Sequence, residues 1–206
     1  KWRYYGGAGR QPCIGGIAEV MMEQRITSRK NALLQQVKRL LSSKKEREAS
    51  GLFVSDGTKL LQEAVRWYDG LDTVILSDGV EAEVPEDVRV IRVPEDVMAS
   101  ISPMQSPQGA LFVCRIPEKK KFCPQKGMLL LDGIQDPGNL GTILRTADAL
   151  DIPVALLEGC ADPYSHKTVR ASMGAVFRRE PVQTTWQEAS CAFREAGIEI
   201  GVTALS

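Results

Sequence analysis

Three observations predict an α/β protein of two domains, the second built on a mostly parallel sheet. From residue 31 to residue 202 the apolar residues switch repeatedly between strand and helix spacing, the pattern of alternating strands and helices. Residues 117–126, PEKKKFCPQK, interrupt that pattern with two prolines and four lysines, which is linker composition. With 206 residues, 43% hydrophobic and 25% charged, the chain has the make-up of a globular protein that buries one large core or two small ones. The expected organisation is an extension over 1–24, an α/β domain over 25–115, a basic linker over 116–126 and a second domain over 127–206.

The extension is rich in glycine and lacks an initial Met, with Met21 or Met22 the more natural start. In the first domain, Leu33, Leu34, Val37, Leu40 and Leu41 form a helical stripe over 31–41 with basic residues opposite. A strand over 52–54 and a helix over 59–67 follow, then strand candidates at 73–76, 88–93 and 110–114. In the second domain the strands are 128–131, 154–157 and 198–202, connected by helices over 138–150 and 186–196. Ligands of mostly parallel sheets bind at the carboxyl ends of the strands. Attention therefore falls on 131–150, LDGIQDPGNLGTILRTADAL, where a strand, a turn and a helix meet. Asp132, Gly133, Asp136, Pro137 and Gly138 supply turn chemistry, and Leu140, Ile143, Leu144, Ala147 and Leu150 fall on one helix face. Asn139 then sits where the helix begins, and Arg145 lies off the apolar stripe.

Five cysteines, odd in number and without C-x-x-C spacing, argue against a disulfide framework and for a reducing cytoplasm. No apolar run approaches the length that spans a bilayer, so no membrane association is expected. The net charge is zero, but residues 25–47 carry eight basic residues and one acid, whereas 69–96 carry nine acids. Further basic residues stand at Lys119 to Lys121, Lys167, Arg170, Arg178 and Arg179. Such runs suit phosphate neutralisation, with the acidic stretch facing away from a nucleic acid; they equally suit solvated helix surface. Other motifs fail. Gly51, Gly57, Thr58 and Lys59 do not keep P-loop order, Gly133, Gly138 and Gly141 do not make G-x-G-x-x-G, and His166 is the single histidine, so no metal site is expected.

The run 136–150, DPGNLGTILRTADAL, resembles the first motif of the SpoU/TrmH family of RNA ribose methyltransferases, within the knotted SPOUT superfamily. Residues 164–182, YSHKTVRASMGAVFRREPV, are similar to its next segment, and residues 27–64 and 106–113 to the beginning and end of its N-terminal substrate-binding domain. The resemblance implies a small α/β substrate-binding domain followed by a SPOUT-type domain, S-adenosylmethionine as methyl donor, RNA as partner, and a cytoplasmic homodimer. Ribosomal RNA is favoured over transfer RNA, because a domain preceding the catalytic one resembles the members acting on ribosomal RNA. Two further motifs belong to the family, one around Gly-x-Glu-x-x-Gly and one with a Ser-Leu-Asn run that threads the knot. Neither occurs by Ser206, so the catalytic domain is expected to be incomplete and the chain to bind RNA but to methylate poorly by itself. A non-catalytic RNA-binding module, or a decayed methyltransferase fragment, is the alternative; a nucleotide-binding oxidoreductase is a third.

By this resemblance Arg145 activates the ribose hydroxyl together with an RNA phosphate, for which its planar, permanently charged fork is suited, and Asn139 holds the ribose or the arginine. The ordinary alternatives are a helix N-cap for Asn139 and a solvated helix arginine for Arg145. Exposed amides at the start of the same helix add an expected anion-binding site. RNA contacts are expected from Arg29, Lys30, Lys38, Lys44, Lys45, Arg47, Lys167, Arg170 and Ser172, with Thr203, Ala204 and Leu205 contributing one wall of the donor site.

Overall fold

The computed structural model describes residues 24–203. The expected extension, apart from Gln24, and Ala204 and Leu205 of the expected donor wall lie outside the described residues.

The first half is a five-stranded mixed sheet. Its strands are β1 (Gln24–Arg25), β2 (Leu52–Asp56), β3 (Leu71–Ser77), β4 (Arg89–Val93) and β5 (Ala110–Arg115), in the order β1-β4-β3-β5-β2. β4 runs parallel to β1 and β3, while β5 runs antiparallel to β3 and β2. Alternation along the strands sends side chains to opposite faces. Val54, Ile75, Leu111 and Val113 pack on one face with Leu34, Val37 and Leu40 of α1 (Ala32–Ser42) and Val97, Met98 and Ile101 of α4 (Glu95–Ile101). Phe53, Val74, Leu76 and Phe112 face the other way, onto Leu60, Leu61 and Ala64 of α3 (Thr58–Trp67).

Between α1 and β2 lies α2 (Lys44–Ser50), a helix that apolar spacing does not predict. Its sequence, KKEREAS, has no apolar stripe, and the residue it buries is Arg47. Ser43 caps it by accepting from the Glu46 amide, and Gly51 ends it at φ 66°, a left-handed conformation that glycine adopts without strain.

The second half carries a three-stranded parallel sheet, β6 (Leu129–Leu131), β7 (Val154–Leu156) and β8 (Val182–Gln183), in that order. Its helices are α5 (Pro137–Ala149), α6 (His166–Ala171), α7 (Ala175–Arg178) and α8 (Trp186–Glu195). α8 opens on a capping box between Thr185 and Glu188 and packs Ala189 and Phe193 against Leu157, Leu130 and Phe122. The strand expected over 198–202 does not form: Ile200 and Val202 are exposed, and no element includes them. Alternation gives a segment strand propensity, but a strand also needs a ladder partner, and β6 pairs only with β7 among the described residues.

The two halves share a core. Phe53 and Tyr68 from the first half meet Tyr164 and Phe177 from the second at ring-centroid distances of 5.0 to 6.3 Å. Leu140, Leu144, Val169 and Val176 belong to the same buried cluster. Among the described residues three ion pairs cross this seam, one of them between Arg178 of α7 and Glu63 of α3. Arg47 of α2 bonds Asp162 through Nε at 2.8 Å and Nη2 at 2.7 Å, and Arg170 of α6 bonds Asp56 of β2 at 2.6 Å.

Candidate functional site

The loop between β6 and α5 forms at the carboxyl end of a parallel strand, where neighbouring helix termini diverge and leave room for a ligand. Gly133 turns it at φ 61°, and the Ala161 amide donates to Ile134 O at 2.7 Å, tying it to the loop after β7. Asp136 is the N-cap of α5, a correction to the sequence reading that put Asn139 at the helix start. The Asp136 carboxylate accepts from the Asn139 amide at 2.7 Å, and Pro137 occupies the first helical position, where a missing N–H costs nothing. Asn139 is therefore already inside the first turn. Its side chain is exposed and has no hydrogen-bond partner among the described residues. The expected anion-binding amides are largely taken: Pro137 has none, and those of Asn139 and Leu140 both bond Asp136.

Leu140, Gly141, Leu144 and Ala147 form the buried face of α5. Asn139, Thr142, Arg145 and Thr146 are exposed, and Asn139, Thr142 and Ile143 border a hollow of about 430 Å³ completed by residues 133–136. Both threonine hydroxyls turn back to the helix, Thr142 Oγ1 donating to Gly138 O at 2.9 Å and Thr146 Oγ1 to Thr142 O at 3.0 Å. The polar groups left for a ligand on this face are the Asn139 amide and the Arg145 guanidinium.

Arg145 differs from its neighbours. Arg170 is held by Asp56, Arg178 by Asp148 at 2.7 Å and by Glu63, and Arg179 by Asp151. Among the described residues, Arg145 has no ion-pair partner, and it is exposed. The basic residues expected at RNA divide in the same way. Arg29 is paired with Asp96 at 2.6 Å, and its guanidinium holds that carboxyl below the usual range. Lys44 approaches Glu48 at 3.6 Å. Arg47 is buried against Asp162, and Ser172 is buried with its hydroxyl donating to Val169 O at 2.7 Å, so neither reaches a ligand at the surface. Lys30, Lys45 and Lys167 are exposed and Lys38 half-buried, without ion-pair partners among the described residues. Thr203 is exposed and outside any element, so the described part of the chain assembles no donor wall there.

His166 is half-buried at the start of α6. Burial is the main influence lowering its pKa; Lys167 and Arg47 push the same way, whereas Asp56 and the Leu41 backbone oppose. Burial also pushes the Tyr68, Tyr164 and Cys114 pKa values up, which suits core groups rather than reactive ones. Among the described residues no cluster of His, Cys, Asp or Glu is placed to hold a metal ion, and no helix is long and apolar enough to cross a membrane. Sequence reasoning missed Asp136, although an Asp before Pro at a helix start is the signal for it. It also missed Asp148, whose partner Arg178 lies 30 residues away.

Two family models match the sequence of this α/β chain. Residues 126–206 match the SpoU rRNA Methylase family and residues 31–111 the MRM3-like substrate binding domain. The chain belongs to the SpoU rRNA methylase family. It is 32% identical over 187 residues to 23S rRNA (guanosine(2553)-2'-O)-methyltransferase RlmP of Bacillus subtilis, covering 88% of this chain and 74% of that protein. A TrmH-family protein from Porphyromonas gingivalis superposes with a TM-score of 0.73 at 34% identity, over 82% of this chain and 68% of that one. An rRNA methyltransferase from Sinorhizobium meliloti, solved with S-adenosylmethionine bound, gives 0.73 at 28% identity over 84% of this chain and 69% of that one. S-adenosylmethionine is the methyl donor of this family.

Proposed function

We propose that this chain forms the RNA-facing half of a ribosomal RNA 2'-O-ribose methyltransferase, with Arg145 and Asn139 as its reactive-site residues. The carrying observation is the unpaired guanidinium of Arg145 on a helix whose neighbouring arginines are all neutralised. The donor, when bound, supplies an electrophilic methyl group. What this chain adds is orientation and charge. Arg145 binds a phosphate of the target nucleotide and stabilises negative charge developing on the 2'-oxygen as its proton passes to solvent water. Asn139, six residues earlier on the same helix, offers a donor and an acceptor to the ribose. Lys30, Lys38, Lys44, Lys45 and Lys167 neutralise phosphates of the surrounding strand. Thr203, Ala204 and Leu205 belong in this reading to the donor side, and ribosomal RNA is favoured over transfer RNA because the Bacillus relative is named for 23S rRNA. The same reading gives a substrate-binding domain over 25–115, a linker over 116–126, a methyltransferase domain from 127, and a homodimer working in the cytoplasm.

Incubation of the protein with labelled S-adenosylmethionine and ribosomal RNA should yield label on ribose. Arg145→Ala should lower kcat by about 10²-fold, the scale of losing one preorganised charge-stabilising donor, while leaving most RNA affinity in place. Label on a base, or RNA affinity with no transfer at all, would overturn the reading; the latter outcome is that of a binding module.

A further inference from the structure

Asp148 stands three residues beyond Arg145 on α5, the spacing at which two helix side chains are neighbours and oppositely charged ones pair. In isolation the spacing on α5 therefore favours pairing of Arg145 with Asp148. The structure shows a different partner: Arg178 Nε bonds Asp148 Oδ2 at 2.7 Å, and Arg178 Nη1 bonds Glu63 of α3. Asp148 is largely enclosed, its side chain 16% exposed. The placement of Arg178 is built in. Gly174 enters α7 at φ 86°, and a Cβ there would lie 2.9 Å from Glu63 Cβ, so only glycine lets α7 approach α3 this closely. The next residue, Arg179, takes Asp151, the other acid at the end of α5. Consecutive arginines thus pair with both carboxylates at the negative end of the helix.

We propose that Arg178 is a positioning residue that keeps Asp148 away from Arg145, so that the Arg145 guanidinium is free for an RNA phosphate. This rests on the reading of Arg145 given above and adds its control. Glu63 anchors Arg178 from the substrate-binding half, so the freedom of Arg145 depends on the two halves being packed together.

The test reads the salt dependence of binding to a mixed-sequence single-stranded RNA, with thermal melting to verify the fold of each variant. One lost phosphate contact lowers the slope of log affinity against log salt by about 0.7. Arg145→Ala should show that loss, and Arg178→Ala should match it because the released Asp148 captures Arg145. Arg178→Lys, which keeps a cation for Asp148, should retain the slope. In the Arg178→Ala background Asp148→Asn should restore the slope, whereas Glu63→Gln, an equal change of net charge at the other partner, should not. With Arg145→Ala lowering the slope, an unchanged slope in Arg178→Ala overturns the role of Arg178 alone. Restoration by both acid replacements, or by neither, also overturns it, the first showing net charge and the second a structural bridge. If Arg178→Ala fails to fold, the Arg178→Lys and Asp148→Asn single variants decide, since a slope reduced in either overturns the proposal. A slope that Arg145→Ala leaves unchanged overturns the reading of Arg145 and the proposal with it.

Discussion

Adding one methyl group at Gly141 tests whether the helix carrying Arg145 is seated as described. A Cβ there would lie 2.5 Å from Ala171 Cβ, 2.6 Å from Thr168 O and 2.9 Å from Ser172 N. Two of these atoms are backbone of the α6 turn and cannot swing aside. Relieving the overlap requires α5 and α6 to separate by about 1 Å, since carbon atoms pack at about 3.5 Å or more. Overpacking of a close interior contact costs about 1–3 kcal/mol. Alanine recovers roughly 1 kcal/mol of helix propensity over glycine. With three simultaneous overlaps the upper part of the range applies, so Gly141→Ala should destabilise by about 1–2 kcal/mol. Urea unfolding reads this as a lower midpoint at unchanged slope. RNA binding should weaken as well, because separation of the helices moves Arg145 relative to Lys167. Equal or higher stability in Gly141→Ala would show that α5 does not cross α6 at this residue.

Arg47→Ala should destabilise by about 3 kcal/mol, the low end for breaking a buried pair, because Asp162 keeps the Tyr164 amide at 2.8 Å after losing the guanidinium. Chemical denaturation checks this, and a loss under about 1 kcal/mol would contradict the pair's stabilising role. His166 gives a pH dependence. Its folded pKa is lowered chiefly by burial, so below the unfolded value of about 6.5 the unfolded chain holds more protons. The contribution is complete above about pH 6.5 and is lost as pH falls toward the folded pKa. Melting temperature should fall faster between pH 7 and pH 5 in the parent than in His166→Gln; parallel curves would refute the assignment.

Several elements were legible because their physics is local. α5 was visible from turn residues followed by apolar spacing, and its observed span, Pro137–Ala149, differs from expectation only at the ends. α1 and strands β2 to β5 followed from periodicity in the same way, whereas β1, two residues long, did not. α2 was invisible because its buried residue is charged, and the partner that makes burial tolerable, Asp162, lies 115 residues away. The strand over 198–202 was overpredicted because pattern reports propensity and says nothing of a pairing partner. Within the candidate site, Arg145 was singled out from its motif. The reason it is available for a ligand was not, since that depends on which acids the other arginines meet.

Those meetings also change how the charge pattern is understood. The basic run 25–47 and the acidic run 69–96 look in sequence like two faces of opposite role. In the fold they meet: Arg25 pairs with Asp78 at 2.7 Å and Arg29 with Asp96 at 2.6 Å. The acids therefore do not simply face away from the basic run; one of them neutralises Arg29, an expected RNA contact. Such exposed pairs contribute little stability, but they remove the charges with the most rigid geometry from competition for phosphate. Among the described residues, Lys30, Lys38, Lys45 and Lys167 stay unpaired, as does Arg145. Lysine holds a phosphate as a point charge on a flexible stem, which gives affinity without fixing orientation. A free, forked guanidinium such as that of Arg145 is suited to hold a phosphate in a defined direction. Removing the lysines should then change mainly affinity and salt dependence, and removing Arg145 mainly the geometry on which transfer depends.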